Sequence, residues 1–125
     1  MIVLDASALL AVLLREPGDD VIEPHLNGAL MSSANLAEVL SKLAERGEDP
    51  DLYADEIRLL GVSVEPLTEA QARDVARLRP LSRSLGLSLG DRVCLALARE
   101  RGATVLTTDR RWLDGDFGVE VQLGR

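Results

Sequence analysis

Four carboxylates stand at the ends of apolar segments, where a chemical site is most easily built. Asp5 closes the run Ile2–Leu4, and Asp109 follows TVLT at 104–107 with only Thr108 between. Glu38 lies in the first turns of the helical stretch SSANLAEVLSKL, and Asp91 in the first turn of GDRVCLALA. Each position also has a purely structural reading. Asp5 and Asp109 suit helix N-caps; Glu38 and Asp91 suit the third helical position, paired with Asn35 and Ser88. As a set they resist that explanation, because carboxylates converging on one sheet edge repel one another unless a cation lies among them. With neither histidine nor cysteine beside them they form a hard oxygen donor set, which takes Mg²⁺ or Mn²⁺ rather than zinc. Such a set is the usual apparatus for hydrolysing a phosphodiester, with one ion or two about 3.5–4 Å apart.

What the chain lacks narrows the chemistry further. Its 125 residues include one histidine, His25, and one cysteine, Cys94. A Ser/His/Asp triad would have to recruit His25, which sits in a polar stretch near Asn27 and Gly28 with no nucleophile elbow. A lone cysteine excludes an internal disulfide and a cysteine-based zinc cluster, and its surroundings, RVCLALA, read as a buried helix position. The net charge of −7 argues against a generic nucleic-acid binder. The distribution softens that argument. Between Arg73 and Arg111 nine arginines face four acids, an excess of five positive charges that leaves −12 on the remainder. Lys42 is the only lysine, so nearly every cation is a guanidinium, suited to gripping phosphate with two bonds.

The elements that must position these groups alternate along the chain. With 46% hydrophobic residues, one domain can bury its own core. The alternation predicts an α/β fold: a single domain with a mostly parallel β-sheet of about five strands, flanked by helices. Strands are expected at 2–4, 30–32, 62–65, 104–107 and 119–122. Helices are expected at 8–14, 20–26, 36–46 and 52–60, from Thr68 to Pro80 behind a Thr68/Gln71 capping box, and from Ser88 to Gly102. RSLGLSLG, residues 83–90, reads as the most flexible stretch. In parallel sheets ligands bind outside the carboxyl ends of the strands, near the point where strand order reverses, and all four acids can reach that edge. The longest apolar run, 8–14, spans seven residues against the roughly 20 that cross a bilayer. With no leader pattern ahead of it, a cytoplasmic location away from membranes is expected.

The blocks IVLDASALLAVLLREPG, SSANLAEVLSKL, LSLGDRVCLALAR and VLTTDRRW resemble, in order and spacing, the signature blocks of the PIN domain, most closely the VapC-type ribonuclease toxins of toxin/antitoxin pairs. The resemblance runs from Ile2 to the final strand. It implies that Asp5, Glu38 and Asp91 hold a metal ion and that Asp109 matches a less constant fourth acid. It also implies that Ser7 and Thr107 orient a carboxylate or water, and that Arg92 contacts the scissile phosphate. The implied activity is Mg²⁺- or Mn²⁺-dependent endonucleolytic hydrolysis of RNA, by a homodimer silenced by a VapB-type antitoxin. Arg77, Arg79 and Arg83 are the candidate RNA contacts of the basic stretch. The rival reading is a PIN-like binding module acting mainly within an antitoxin-bound DNA-repressor complex, with little cleavage. Asp114 and Asp116 read as turn residues around Gly115, Trp112 and Phe117 as a plug at the sheet edge, and Tyr53 as half-buried or part of a partner surface.

Overall fold

The computed structural model describes residues 1–125. Five short strands, β1 (Ile2–Leu4), β2 (Leu30–Ser32), β3 (Ser63–Glu65), β4 (Thr104–Thr107) and β5 (Val121–Leu123), form one sheet in the order β3-β2-β1-β4-β5. Every pairing is parallel. Six helices cover it: α1 (Ala6–Leu13), α2 (Asp19–Ile22), α3 (Ser33–Glu45), α4 (Pro50–Leu59), α5 (Glu69–Ser82) and α6 (Leu89–Arg101). The central strand shows why its residues are apolar throughout. Val3 enters the core beneath α5 and α6, with Leu78, Leu95 and Trp112. Leu4 enters the opposite core, with Leu9, Val39 and Ile57 of α1, α3 and α4. A strand covered on both faces cannot alternate apolar with polar residues, and β1 does not, whereas the edge strands β3 and β5 do.

Several element ends differ from the sequence expectation, each for a local reason. Helix α3 begins at Ser33 because Ser32, the last residue of β2, accepts from the Ala34 amide at 3.3 Å. Asn35 is therefore inside the helix and not its cap. Thr68 caps α5 as expected, accepting from the Gln71 amide at 3.1 Å, but the Gln71 side chain reaches Glu100 on α6 and leaves the capping box half made. The helix continues through Pro80 to Ser82, whose hydroxyl donates to the Leu78 carbonyl at 2.8 Å. Strand β5 starts at Val121, two residues later than expected, because its register is set by β4: the Val105 amide donates to the Glu120 carbonyl. The helix expected at 20–26 divides into α2 and a 3₁₀ turn at Glu23–His25, where Pro24 lies.

The stretch 83–90 is more ordered than its glycines suggest. A 3₁₀ turn at Arg83–Leu85 leads into Gly86, whose φ of +67° needs a residue without a side chain. The carbonyls of Leu85 and Gly86 both accept from Arg111 Nη1, at 3.2 and 3.3 Å. One guanidinium thus ties this loop to the segment that follows β4. No helix is long and apolar enough to cross a membrane.

Candidate active site

From β1 the chain builds outward through β2 to β3, then returns to lay β4 on the other side of β1. That reversal splays the connections apart at the carboxyl edge and opens a cleft there. Asp5 and Asp109 leave the two strands that flank it. A cleft of about 370 Å³ is lined by Asp5, Glu38, Asp91 and Asp109, together with Ser7, Thr108, Glu16 and Lys42. The four acids singled out by position thus share one opening, delivered by β1, α3, α6 and β4.

Asp5 is the most constrained of them. It is the N-cap of α1, accepting from the Ala8 amide at 2.8 Å, and only 4% of it is exposed. Ser7 Oγ donates to it at 2.7 Å, and Thr107 Oγ1, from β4, at 2.6 Å. Thr107 accepts in turn from the Asp109 amide at 3.0 Å, and Ser7 from the Thr108 amide at 3.2 Å. Burial pushes the Asp5 carboxyl up from its ordinary 3.8 to about 6; the hydrogen bonds from Thr107, Ser7 and Ala8 oppose the rise, and repulsion from Asp91 adds to it.

The other three are held differently. Asp91 closes a complete capping box on α6, accepting from the Ser88 amide at 2.8 Å while its own amide donates to Ser88 Oγ at 3.2 Å. Glu38 accepts from Asn35 Nδ2 at 2.8 Å. Asp109 caps the 3₁₀ turn Arg110–Asp114 and is gripped by Arg111, whose Nη2 lies 2.6 Å from Oδ2. The Arg111 hydrogen bonds and charge hold the Asp109 carboxyl below the usual carboxylate range. Behind the cleft, Cys94 is fully buried; burial first, then the charges of Asp5, Asp91 and Glu38, push its thiol well above its ordinary value.

Other residues marked by the sequence lie elsewhere. Arg92 turns from the cleft toward α5, where its Nη1 donates to the Val75 carbonyl at 3.2 Å. Arg77 and Arg79 are exposed on α5, Arg83 is exposed just beyond it, and none of the three lines the cleft. Asp114 and Asp116 are exposed and outside it, while Trp112 and Phe117 are buried in the core under α6. Tyr53 is half-buried on α4, as is His25 in its 3₁₀ turn. Sequence reasoning missed Glu16, Lys42 and Thr108 in the cleft wall. For Lys42 a signal existed, since it follows Glu38 by four residues and so shares its helix face. Glu16 is brought in by the turn at Arg15, whose φ of +55° no pattern announces.

The donor set suits a hard divalent cation, since the acids bring oxygens alone. As the side chains stand, no three of the acids gather closely enough to hold an ion. Asp109 is turned into its pair with Arg111. The cleft supplies the chemistry of a metal site, with Asp109 still engaged by Arg111.

The PIN domain family profile matches residues 2–118. No curated protein matches the chain. Solved structures do, at low identity. A toxin-antitoxin complex from Klebsiella pneumoniae is 15% identical with a TM-score of 0.73, over 100% of this chain and 98% of that one. VapC20 from Mycobacterium tuberculosis, described as a Sarcin-Ricin loop cleaving toxin, is 21% identical with a TM-score of 0.74, over 94% and 92%. VapBC2 from Rickettsia felis, bound to a DNA fragment from its promoter, is 16% identical with a TM-score of 0.75, over 98% of each chain. At these identities the likeness is one of fold. The profile match carries the assignment, since it spans four of the five strands and all four acids: the chain belongs to the PIN domain family.

Proposed function

We propose that the protein is a metal-dependent endoribonuclease, the toxin of a type II toxin/antitoxin pair. The observation that carries this reading is the convergence of four carboxylates, from four separate elements, in one cleft at the reversal of strand order. Asp5, Asp91 and Glu38 would hold Mg²⁺ or Mn²⁺, and Asp109 would complete the site once released from Arg111. When bound, such an ion activates water and stabilises charge on the leaving oxygen. The chain's own part is positional. Ser7 and Thr107 fix both oxygens of Asp5, and Ser88 fixes Asp91 at the start of α6. No protein nucleophile is required, in keeping with a chain whose one histidine lies outside the cleft and whose one cysteine is buried beneath it. Arg77, Arg79 and Arg83 supply the positive approach that a polyanion needs beside an acidic pocket. Arg92, bonded to the Val75 carbonyl, serves the α5–α6 packing in this reading rather than the phosphate.

The fold likeness to an RNA-cleaving toxin supports RNA as the substrate class, and the likeness to a toxin-antitoxin complex supports a VapB-type antitoxin as partner. A homodimer and a cytoplasmic location belong to the same proposal. The DNA-bound neighbour favours one alternative, a module that works chiefly in a repressor complex and cleaves little. Purified, antitoxin-free protein incubated with a mixed RNA pool separates the two. Cleavage is expected with Mg²⁺ and is lost with EDTA, with Asp5→Asn and with Asp91→Asn. Cleavage that survives chelation or either substitution would overturn the metal-carboxylate reading, and a folded wild type that never cleaves would favour the binding module.

A further inference from the structure

Glu38 differs from the other acids of the cleft in what holds it. It lies more than a turn into α3, beyond the first-turn amides that fix Asp5 and Asp91. Its carboxylate is set by two residues outside the acid set. Asn35, 1% exposed and three residues earlier on α3, donates from Nδ2 to Glu38 Oε1 at 2.8 Å and to the Gly90 carbonyl on α6 at 2.9 Å. Both amide protons are thus spent bridging two helices, while Asn35 Oδ1 is buried with no partner. An asparagine left half satisfied inside a protein is unfavourable, so its place is explained by where it directs its protons.

Gly90 completes the arrangement. It is the second residue of α6, with no left-handed φ to require glycine, at a position where alanine is the better helix former. What requires it is Glu38. A methyl group at Gly90 would lie 2.6 Å from Glu38 Cδ and 2.7 Å from Oε2, and closer still to Oε1. The carboxylate therefore rests on the bare Cα of the residue immediately before Asp91.

We propose that Asn35 and Gly90 are positioning residues that lock the Glu38 carboxylate to the first turn of α6, fixing Glu38 and Asp91 relative to each other for a divalent cation. The inference rests on the metal-site reading of the cleft. Without the lock, the three side-chain torsions of Glu38 are free to carry its oxygens away from Asp91.

Mn²⁺ titration calorimetry and thermal unfolding on the full chain test it, with the Glu38 carboxyl ¹³C resonance followed in metal-free protein. Asn35→Leu, which removes both bonds while keeping the branched side-chain shape, and Gly90→Ala should each weaken Mn²⁺ binding by about 10- to 100-fold, the usual range for partners that orient metal ligands. Gly90→Ala should do so without lowering the unfolding temperature, a combination that general damage does not produce. In a Glu38→Gln background, Asn35→Leu should change Mn²⁺ affinity by less than about twofold. Equal losses in both backgrounds, wild-type affinity in Gly90→Ala, or an unmoved Glu38 resonance in Asn35→Leu would each overturn the lock. A wild type that takes up no Mn²⁺ would instead overturn the metal-site reading, with the resonance still reporting on the lock itself.

Discussion

Asp5 is ionised against the preference of its surroundings. Burial, with repulsion from Asp91, brings its carboxyl to about 6, so the fold favours the neutral form more than the unfolded chain does. The stability this contributes is fully present below the ordinary value of 3.8 and is lost as pH rises through about 6. A rise of about two pH units corresponds to at most about 3 kcal/mol. Asp5→Asn, which is never charged, should therefore stabilise the metal-free protein at about pH 8 by roughly 1–3 kcal/mol and have little effect near pH 4. Urea midpoints at the two pH values check this, and an equal change at both would show that charge is not the cause. Much of this residue was legible: an acid at the end of an apolar strand, with Ser7 two positions on. Thr107 was legible only as a residue two positions before Asp109, because its bond to Asp5 joins positions 102 apart in sequence. Arg92 turns aside from the cleft for a geometric reason. Adjacent helix residues diverge by roughly 100°, so standing next to Asp91 in sequence directs Arg92 toward α5 and not toward the cleft.

Capping and cleft-lining turn out to be one arrangement at the scale of elements. In a parallel sheet a helix that directly follows a strand begins at the carboxyl edge, and here α6, which leads into β4, begins there as well. Residues suited to helix N-termini therefore collect where ligands bind. Asp5, Asp91 and Asp109 are all caps or first-turn acids, and all line the cleft. This is why sequence could not separate the structural reading from the functional one: both ask for the same residue type at the same place. Ser88→Ala removes one half of the α6 capping box and should lower stability by about 1 kcal/mol, read as a shift in urea midpoint at unchanged slope. A loss near zero would mean that Asp91 alone holds the helix start. Helix existence and the strand alternation were legible because they are periodic. The ends of β5 and α5 were not, since one is set by its neighbour strand and the other lies beyond a proline that the helix accommodates.

Across the whole molecule, charge is divided between an acidic cleft and a basic stretch that lies mainly on α5 and α6. A polyanion must be drawn toward carboxylates that would otherwise repel it, and the arginines of α5 are placed to do this without entering the cleft. Arg77 is mostly exposed and only loosely paired with Asp74, at 3.7 Å, so exchanging that partner for a phosphate loses little. Arg79, two residues on, has no carboxylate within ion-pair distance and is exposed. Replacing both with alanine should weaken RNA binding and flatten its dependence on salt by about 0.7 log units per lost contact, while Mn²⁺ binding stays unchanged. Fluorescence titration of a labelled RNA across a salt series measures the slope. An unchanged slope would remove α5 from the RNA path and leave Lys42, the one cation that lines the cleft itself, as the group that meets the phosphate.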